Sequence, residues 1–278
     1  MCIRDRPNDV NSLRALLEKY VDNMNILNQK IVFISGSRSG IGRSTAILMA
    51  KKGARLLLHC RKKGDTLDLI EEIKQYGGQA KEISGDLSKL SNITKLAKSI
   101  TEVWGRVDIM INNAATISPM SMLGNLDIIE LEKSMNVNLT AQLALISELW
   151  TILSNSKARI INILSGASKN PRKGWSIYCT SKAAFHMLTK QINLEGKEEG
   201  IKCFGFSPGL VRTNMQIEIR KSKINEISFL PENNMIDPIE PAKCILSIAS
   251  GEFDNFDGDF MDIRDEIFNK IISHNLFK

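Results

Sequence analysis

Apolar residues along the chain follow two alternating patterns. Short, nearly continuous apolar runs, typical of strands buried on both faces, are separated by longer stretches in which apolar residues recur at helical spacing. The predicted strands are Lys30–Ser35, Ala54–Cys60, Gln79–Ile83, Val107–Ile111, Arg159–Leu164, Lys202–Phe206 and Gly258–Ile263, and the predicted helices are Arg43–Lys52, Leu67–Tyr76, Leu90–Trp104, Leu126–Leu153, Trp175–Glu198 and Pro238–Ser250. Strands that alternate with helices favour right-handed crossovers between parallel strands. The pattern therefore predicts a single doubly wound α/β domain with helices on both faces of the sheet.

The composition is that of a globular chain with a large core. Of 278 residues, 43% are hydrophobic and 24% are charged, which excludes a mostly disordered chain and a disulfide-stapled miniprotein. Basic residues exceed acidic ones by 37 − 31 = 6, an excess that suits an anionic partner. No aromatic platform or reading helix accompanies this charge, so we expect no nucleic acid partner.

The cysteine pattern and the hydropathy of the chain restrict its expected compartment and partners. The five cysteines are widely spaced and form no C-x-x-C pair, which predicts a reduced, cytoplasmic protein without a structural metal site. No apolar run reaches the ~18 residues of a membrane span, so no membrane partner is expected. The three histidines, His59, His186 and His274, are unclustered and are interpreted as surface or core residues.

The two ends of the chain fall outside the alternating pattern. We place the domain at residues 24–264, after an extension at 1–23 and before a tail at 265–278. The first six residues resemble a translated sequencing adapter, which would make the extension an artefact. For residues 12–22, a short amphipathic helix and a frayed tail both remain open.

A glycine-rich turn follows the first strand and opens the first helix. Glycines allow a sharp turn and a close approach of backbone to phosphate, and the helix N-terminus offers free N–H groups and partial positive charge. A glycine cluster alone also serves any tight turn, but its position between a buried strand and a helix favours a dinucleotide site. The candidate residues are Gly36, Ser37, Arg38, Ser39, Gly40, Ile41 and Gly42.

The end of the second strand bears on the choice between NAD and NADP. Proteins that bind NAD usually carry an aspartate or glutamate there to bond the ribose hydroxyls. This chain has Cys60 followed by Arg61, Lys62 and Lys63, with Arg38 in the glycine turn. Cations can pair with a 2′-phosphate, so NADP(H) is favoured over NAD(H), with a solvated basic loop as the alternative.

A tyrosine and a lysine four residues apart are the strongest candidates for chemistry. Tyr178 and Lys182 would share one face of a helix, and Ser165 ends the preceding strand. A nearby ammonium is expected to lower the pKa of the phenol from about 10, making it a proton donor and acceptor near neutrality. Trp175 is open to two interpretations, a wall of the substrate pocket or simple packing.

Taken together, these motifs resemble the short-chain dehydrogenase/reductase family. The glycine turn, Asn112–Ala115, Asn138, Ser165 and the Tyr178/Lys182 pair occur in its order and spacing, from about Asn28 to Asp262. The resemblance implies a seven-stranded Rossmann-type parallel sheet in the order 3-2-1-4-5-6-7, an NAD(P) cofactor and a homotetramer or dimer.

The resemblance also assigns roles to individual residues. Tyr178 would be the general acid/base, Ser165 would bond the substrate oxygen, Lys182 would hold the nicotinamide ribose, and Asn138 would hold a water in a proton relay. Further cofactor contacts are implied at Asp86, Leu87, Asn112, Ala114, Pro208, Gly209, Val211 and Thr213.

The sequence thus predicts an NADP(H)-dependent oxidoreductase that interconverts a carbonyl and a secondary alcohol of a small molecule by hydride transfer. A 3-oxoacyl carrier-protein reductase is one alternative, which would need a cationic docking surface near the pocket mouth. A cofactor-sensing binding protein without catalysis is the other, and the complete set Asn138, Ser165, Tyr178 and Lys182 argues against it.

Overall fold

A computed structural model describes residues 25–268 of the chain. Seven parallel strands form one sheet in the order β3-β2-β1-β4-β5-β6-β7, which confirms the predicted fold class and strand order. The strands are β1 (Ile31–Ile34), β2 (Arg55–Cys60), β3 (Gln79–Ser84), β4 (Ile109–Asn112), β5 (Arg159–Ile163), β6 (Lys202–Ser207) and β7 (Phe260–Asp262). The helices are α1 (Gly40–Lys51), α2 (Leu67–Gln75), α3 (Ile93–Trp104), α4 (Ile128–Met135), α5 (Ala141–Asn155), α6 (Ser176–Gly196), α7 (Asn214–Ser222) and α8 (Ile239–Ser250).

Alternation of side chains along the central strands builds a core on each face of the sheet. In β1, Val32 and Ile34 pack into one cluster of buried residues, whereas Ile31 and Phe33 pack into the other. Successive residues of a strand point to opposite faces, so a strand covered by helices on both sides must be apolar throughout. All four residues of β1 are accordingly buried, which accounts for the continuous apolar run in the sequence.

The long helix predicted at Leu126–Leu153 is interrupted. Helix α4 passes into α5 through a π-helical segment, Asn136–Thr140, and Asn138 lies at its centre. A π-bulge widens the helix by one residue and is common at functional sites. Hydrophobic spacing could not reveal the interruption, because the apolar face continues on both sides of it.

Two further differences concern a polar helix and the C-terminal boundary of the domain. Helix α7, with the polar sequence NMQIEIRKS, was left unassigned by the pattern. Beyond the boundary proposed at Arg264, Phe268 is fully buried and its ring lies against Phe206 and Phe253. The helix considered for residues 12–22 lies outside the described residues.

None of the helices between residues 25 and 268 combines the length and the apolar character that crossing a membrane requires.

Candidate active site

A cavity of about 630 Å³ opens at the carboxyl ends of the strands. Its wall runs from the glycine turn and the end of β2, past the loops that follow β3 and β4, to the N-terminal half of α6 and the start of α7. Ligands of doubly wound sheets bind at this edge, where the strand order reverses beside the first strand. The topology alone therefore brings together residues that are far apart in the sequence.

The turn between β1 and α1 leaves an open space at the helix N-terminus, because its glycines have no side chains to fill it. Gly36 and Gly40 have φ angles of +67° and +56°, which disfavour residues with a Cβ atom. A Cβ on Gly42 would lie 2.4 Å from the Gly36 carbonyl oxygen. Asn113 supports the turn from β4, because its Nδ2 donates to the carbonyls of Ser35 and Gly36 at 2.9 and 3.0 Å. This open backbone at a helix N-terminus fits the pyrophosphate of a dinucleotide.

His59, in β2, fixes the same turn. Its Nδ1 accepts a hydrogen bond from the Gly36 N–H at 3.3 Å, and its Nε2 lies 2.9 Å from the Gly85 carbonyl oxygen. Ser37 bonds the His59 carbonyl through both its N–H and its hydroxyl, each at 3.0 Å. Burial lowers the pKa of His59 to about 4, so the ring is neutral at physiological pH and can accept from Gly36. His59 was interpreted from the sequence as a surface or core residue, and its bonds to the glycine turn were not predicted. Its position at the end of a strand expected to lie beside β1 is the sequence signal that could have indicated them.

At the opposite end of the cavity wall from Tyr178, charged residues surround the end of β2. Arg38 and Arg61, predicted from the sequence, both line the cavity. Asp65 also lines it, and its Oδ2 lies 3.7 Å from Arg38 Nη1. The second strand itself ends without a carboxylate, and Asp65 follows only after four loop residues, so it was not among the cofactor residues predicted from the sequence. Asp86 lies nearby after β3, where it accepts from the Ser88 N–H and hydroxyl at 3.0 and 2.8 Å.

Tyr178 is buried at the inner end of the cavity. Its hydroxyl is hydrogen-bonded by Ser165, and the Trp175 ring packs edge-on against it with centroids 5.8 Å apart. Burial raises the pKa of Tyr178 to about 12, and the bond from Ser165 offsets only part of that rise. The phenol is therefore protonated at neutral pH.

Lys182 lies one helical turn beyond Tyr178 and is 2% exposed. Its Nζ donates to the Ile163 carbonyl at 2.6 Å and lies 5.9 Å from the centroid of the Tyr178 ring. Burial lowers the pKa of Lys182 to about 7. The expectation that this ammonium lowers the pKa of Tyr178 is wrong for this structure, because desolvation of the phenol dominates and the lysine bonds a carbonyl instead.

Asn138 binds protein groups rather than facing the cavity. Its side-chain oxygen accepts from the Thr116 N–H at 2.8 Å, and its Nδ2 donates to the Thr116 carbonyl at 2.9 Å. Nδ2 also lies 3.3 Å from the Ser181 hydroxyl. The side chain thus ties the π-helical segment to the loop after β4, and its amide has little capacity left for the predicted water.

The structure brings most of the other predicted cofactor residues to the cavity wall. Those that line it are Gly36, Arg38, Ser39, Gly40, Ile41, Arg61, Asp86, Leu87, Ala114, Pro208, Gly209, Val211 and Thr213. Ser37, Gly42 and Asn112 do not line it: Gly42 packs against the turn, and Asn112 donates to Asn162 Oδ1 at 2.8 Å between β4 and β5. Of the Asn112–Asn113 pair, Asn112 was the cofactor contact predicted from the sequence, but Asn113 is the residue that lines the cavity.

Apolar side chains surround Tyr178 on the substrate side. Ile117, Ala167, Trp175 and Ile219 form a buried cluster with it, and Met215 packs against this cluster. Ile219 and Met215 come from α7, so the helix that the hydrophobic pattern did not predict supplies one wall. Burial of Trp175 in this wall is compatible with both interpretations given above, since it packs on Tyr178 and also lines the cavity.

Comparison with known proteins agrees with this geometry. The family model described as short chain dehydrogenase matches residues 30–224, and the chain belongs to this family. A benzil reductase ((S)-benzoin forming) of Bacillus cereus is 30% identical over 241 residues, covering 80% of this chain and 95% of that protein. A second benzil reductase, from Bacillus subtilis (strain 168), is 32% identical over 198 residues, covering 69% and 79%.

Solved structures show the same fold. A putative NAD(P) dependent gluconate 5-dehydrogenase from Beutenbergia cavernae, with bound NADP, matches with a TM-score of 0.77 and 25% identity over 85% of this chain and 96% of its own. An L-sorbose reductase from Gluconobacter frateurii, complexed with NADPH and L-sorbose, matches with a TM-score of 0.78 and 22% identity over 89% and 99%. The chain is an NAD(P)-dependent oxidoreductase of the short-chain type.

Proposed function

We propose that this protein reduces an apolar ketone to a secondary alcohol with NADPH, using Tyr178 as the proton donor. The observation that carries the proposal is the arrangement of Ser165, Tyr178 and Lys182 at the apolar end of a cavity whose other end is lined by Arg38 and Arg61. A bound nicotinamide cofactor would supply the hydride. The glycine turn would hold its pyrophosphate, and Lys182 its nicotinamide ribose.

The protonation states of the site suit reduction. With a pKa raised to about 12 by burial, Tyr178 keeps its proton and can donate it to a substrate oxygen. Ser165, already bonded to Tyr178, can donate to the same oxygen and stabilise the developing negative charge. Lys182, whose pKa is lowered to about 7 by burial, is partly protonated at neutral pH, and its ammonium form can stabilise the tyrosinate that remains after Tyr178 has given its proton to the substrate.

The walls of the cavity support an apolar substrate. Ile117, Trp175 and Ile219 offer contact to a ring or an alkyl chain beside the Tyr178 hydroxyl. Two relatives are named as benzil reductases, so we propose diaryl or alkyl-aryl ketones and vicinal diketones such as benzil as the substrate class. The carrier-protein alternative receives less support, because Lys133 is paired with Glu130 at 2.7 Å and Arg172 with Glu226 at 2.5 Å.

We further propose that the protein prefers NADP(H), forms a homodimer or homotetramer and works in the cytoplasm. Arg38 and Arg61 support NADP(H) over NAD(H), since both line the cavity near the end of β2. Exposed apolar side chains on α5 and α6, namely Leu143, Met187 and Leu194, support a homodimer or homotetramer. The four described cysteines are free thiols, which agrees with a reducing cytoplasm.

The experiment compares Tyr178→Phe with the wild type. We expect the variant to lose at least ~10³-fold in kcat for benzil reduction because it lacks the proton donor, while its Kd for NADPH stays within about twofold. Steady-state kinetics and calorimetric titration measure the two quantities. Tyr76→Phe, at an exposed position at the end of α2, is the matched control and should retain full activity.

Two results would count against the proposal. Retained activity in Tyr178→Phe would remove its role as proton donor. Absence of turnover by the wild type on a panel of diketones, aryl ketones and a 3-oxoacyl thioester, together with tight NADPH binding, would favour the non-catalytic alternative. Tighter binding of NADH than of NADPH would contradict the cofactor preference alone.

A further inference from the structure

The loop after β2 places a carboxylate beside the cations that favour NADP. Asp65 lines the cavity together with Arg38, Cys60 and Arg61. Its side chain is 22% exposed, whereas that of Arg38 is 66% exposed, and the pair is separated by 3.7 Å. The aspartate is thus the more fixed member of the pair, and the arginine reaches over to it from the glycine turn.

The backbone on both sides of Asp65 is held by one half-buried side chain, that of Glu82. Glu82 in β3 accepts from the Gly64 N–H at 2.7 Å through Oε1, and from the Thr66 N–H and hydroxyl at 3.0 and 2.7 Å through Oε2. Thr66 is fully buried, and the Asp65 N–H itself donates to the Lys62 carbonyl at 3.2 Å. An aspartate in an ordinary surface loop would have no such support, so the position of this carboxylate is built into the fold.

We propose that Asp65 is a cofactor-selectivity residue that weakens the preference for NADP(H) over NAD(H), and that Glu82 is the positioning residue that holds it at the cavity. This inference rests on the proposed function only for the identity of the cofactors.

Charge and hydrogen bonding explain why Asp65 would weaken the preference for NADP(H). A 2′-phosphate carries about −1.5 to −2 charges, so a neighbouring carboxylate repels it, whereas a ribose hydroxyl can donate a hydrogen bond to the same carboxylate. Arg38 must also leave or share Asp65 before it can pair with the phosphate. Asp65 therefore weakens NADPH binding in two ways, by repelling the 2′-phosphate and by occupying Arg38, and it strengthens NADH binding through the ribose hydroxyl. Arg38 and Arg61 act in the opposite direction, because they attract the 2′-phosphate.

Calorimetric titration of the protein with each cofactor, in the absence of substrate, tests the proposal. The quantity of interest is the ratio of the Kd for NADH to the Kd for NADPH. In Asp65→Asn we expect this ratio to rise by about fivefold or more at low ionic strength, mainly through tighter NADPH binding, and to rise less at high salt.

Asp68→Asn is the matched control. Asp68 lies three residues further on, is 69% exposed and pairs with Arg43, so its loss removes one negative charge nearby without altering the cavity wall. A rise in the ratio for Asp65→Asn that exceeds that of Asp68→Asn supports the proposal. A rise no larger than the control, or a fall, overturns it.

The role of Glu82 is tested by a double-mutant cycle. Glu82→Gln should change the ratio in the wild-type background and leave it unchanged in the Asp65→Asn background, because Glu82 acts through Asp65. An equal change in both backgrounds would contradict the positioning role. These ratios are compared with that of the wild type, so they can be evaluated whichever cofactor the wild type prefers. A wild type that binds NADH more tightly would count against the proposed function and not against the role of Asp65.

Discussion

At the scale of single residues, buried polar groups determine the chemistry of the cavity. Tyr178, Lys182 and His59 are each less than a tenth exposed, and desolvation is the largest contribution to the pKa shift of each. Burial favours the neutral form in all three cases. The phenol and the imidazole are therefore both uncharged at neutral pH, which suits the proton-donor role proposed for Tyr178 and lets His59 accept from the Gly36 N–H.

His59→Phe tests the structural part of this account. The phenyl ring keeps the shape but leaves the Gly36 N–H and the Gly85 carbonyl without their partner, so we expect a loss of about 2 kcal/mol in the free energy of unfolding and weaker cofactor binding. Because the folded-state pKa of about 4 lies below the unfolded value of about 6.5, the advantage of the wild type is complete above pH 6.5 and is lost as the pH falls towards 4.

Urea unfolding at several pH values measures this difference. His186→Phe is the control, since its buried Nε2 has no hydrogen-bond partner among the residues that the structure describes and its ring lies beside Phe260. Equal losses in the two variants would show that the bonds of His59 contribute nothing specific.

At the scale of elements, turns and helix irregularities place the site residues. The β1–α1 turn depends on a close approach between α1 and the turn backbone, and the π-helical segment depends on the bonds of Asn138 to Thr116. Both features join an element to a loop distant in sequence. Both features also bring an apolar residue to the cavity wall, Ile41 and Val137 respectively.

Gly42→Ala should disrupt the turn. The added methyl group would lie 2.4 Å from the Gly36 carbonyl oxygen and 2.7 Å from Asn113 Nδ2, so α1 must shift away from the turn. We expect a destabilisation of about 2 kcal/mol and at least a ~10-fold rise in the Kd for NADPH. At Gly124, no atom of residues 25–268 lies within 4 Å of an added Cβ, so Gly124→Ala should cost less than about 1 kcal/mol and change the Kd for NADPH by less than about twofold. Unimpaired NADPH binding by Gly42→Ala would contradict this account of the turn.

At the scale of the whole molecule, the carboxyl and amino ends of the strands carry different features. The carboxyl ends of the strands carry the cavity, whereas the amino ends of β5 and β6 are joined by an ion cluster. Asp254 binds Arg159, whose Nη2 lies 2.9 Å from Oδ2, and Lys202, whose Nζ lies 2.6 Å from the same oxygen. Hydrogen bonds from Arg159 and then Lys202 lower the pKa of Asp254 to about 2, although its partial burial opposes the shift.

Asp254→Asn should therefore affect stability and leave catalysis unchanged. Because the folded pKa lies below the unfolded value, the carboxylate stabilises the fold above pH ~4, and this contribution is lost as the pH falls through 2. The Asp254 side chain is one third exposed, so solvent weakens its ion pairs. We therefore expect Asp254→Asn to lower the free energy of unfolding by about 1 kcal/mol at pH 7 and by less at pH 3.

Unfolding at both pH values and kcat at pH 7 provide the measurements. Glu71→Gln, which removes the exposed pair with Lys74, should cost less than about 0.5 kcal/mol. A loss in Asp254→Asn that is the same at pH 7 and pH 3 would contradict the assigned pKa.

Features that depend on local order were predictable from the sequence. Apolar runs of the length and spacing seen around Val32 and Ile161 specify buried parallel strands, and parallel strands end at one edge. For that reason the sequence alone predicts that Ser165, Tyr178 and the glycine turn lie at one edge of the sheet. The four-residue spacing of Tyr178 and Lys182 likewise follows from helical geometry.

Other features of the site could be established only from the tertiary structure, because they depend on distances between segments that are remote in sequence. The direction of the pKa shift of Tyr178, the pairing of Asp65 with Arg38 and the inward bonds of Asn138 arise from burial and from partners on other elements. Desolvation and Coulomb interactions vary with depth and separation, which residue order does not contain. The sequence by itself thus determined the family, the sheet and the candidate site residues, whereas the charge states of Tyr178 and Lys182 and the pairing of Arg38 with Asp65 were decided by packing.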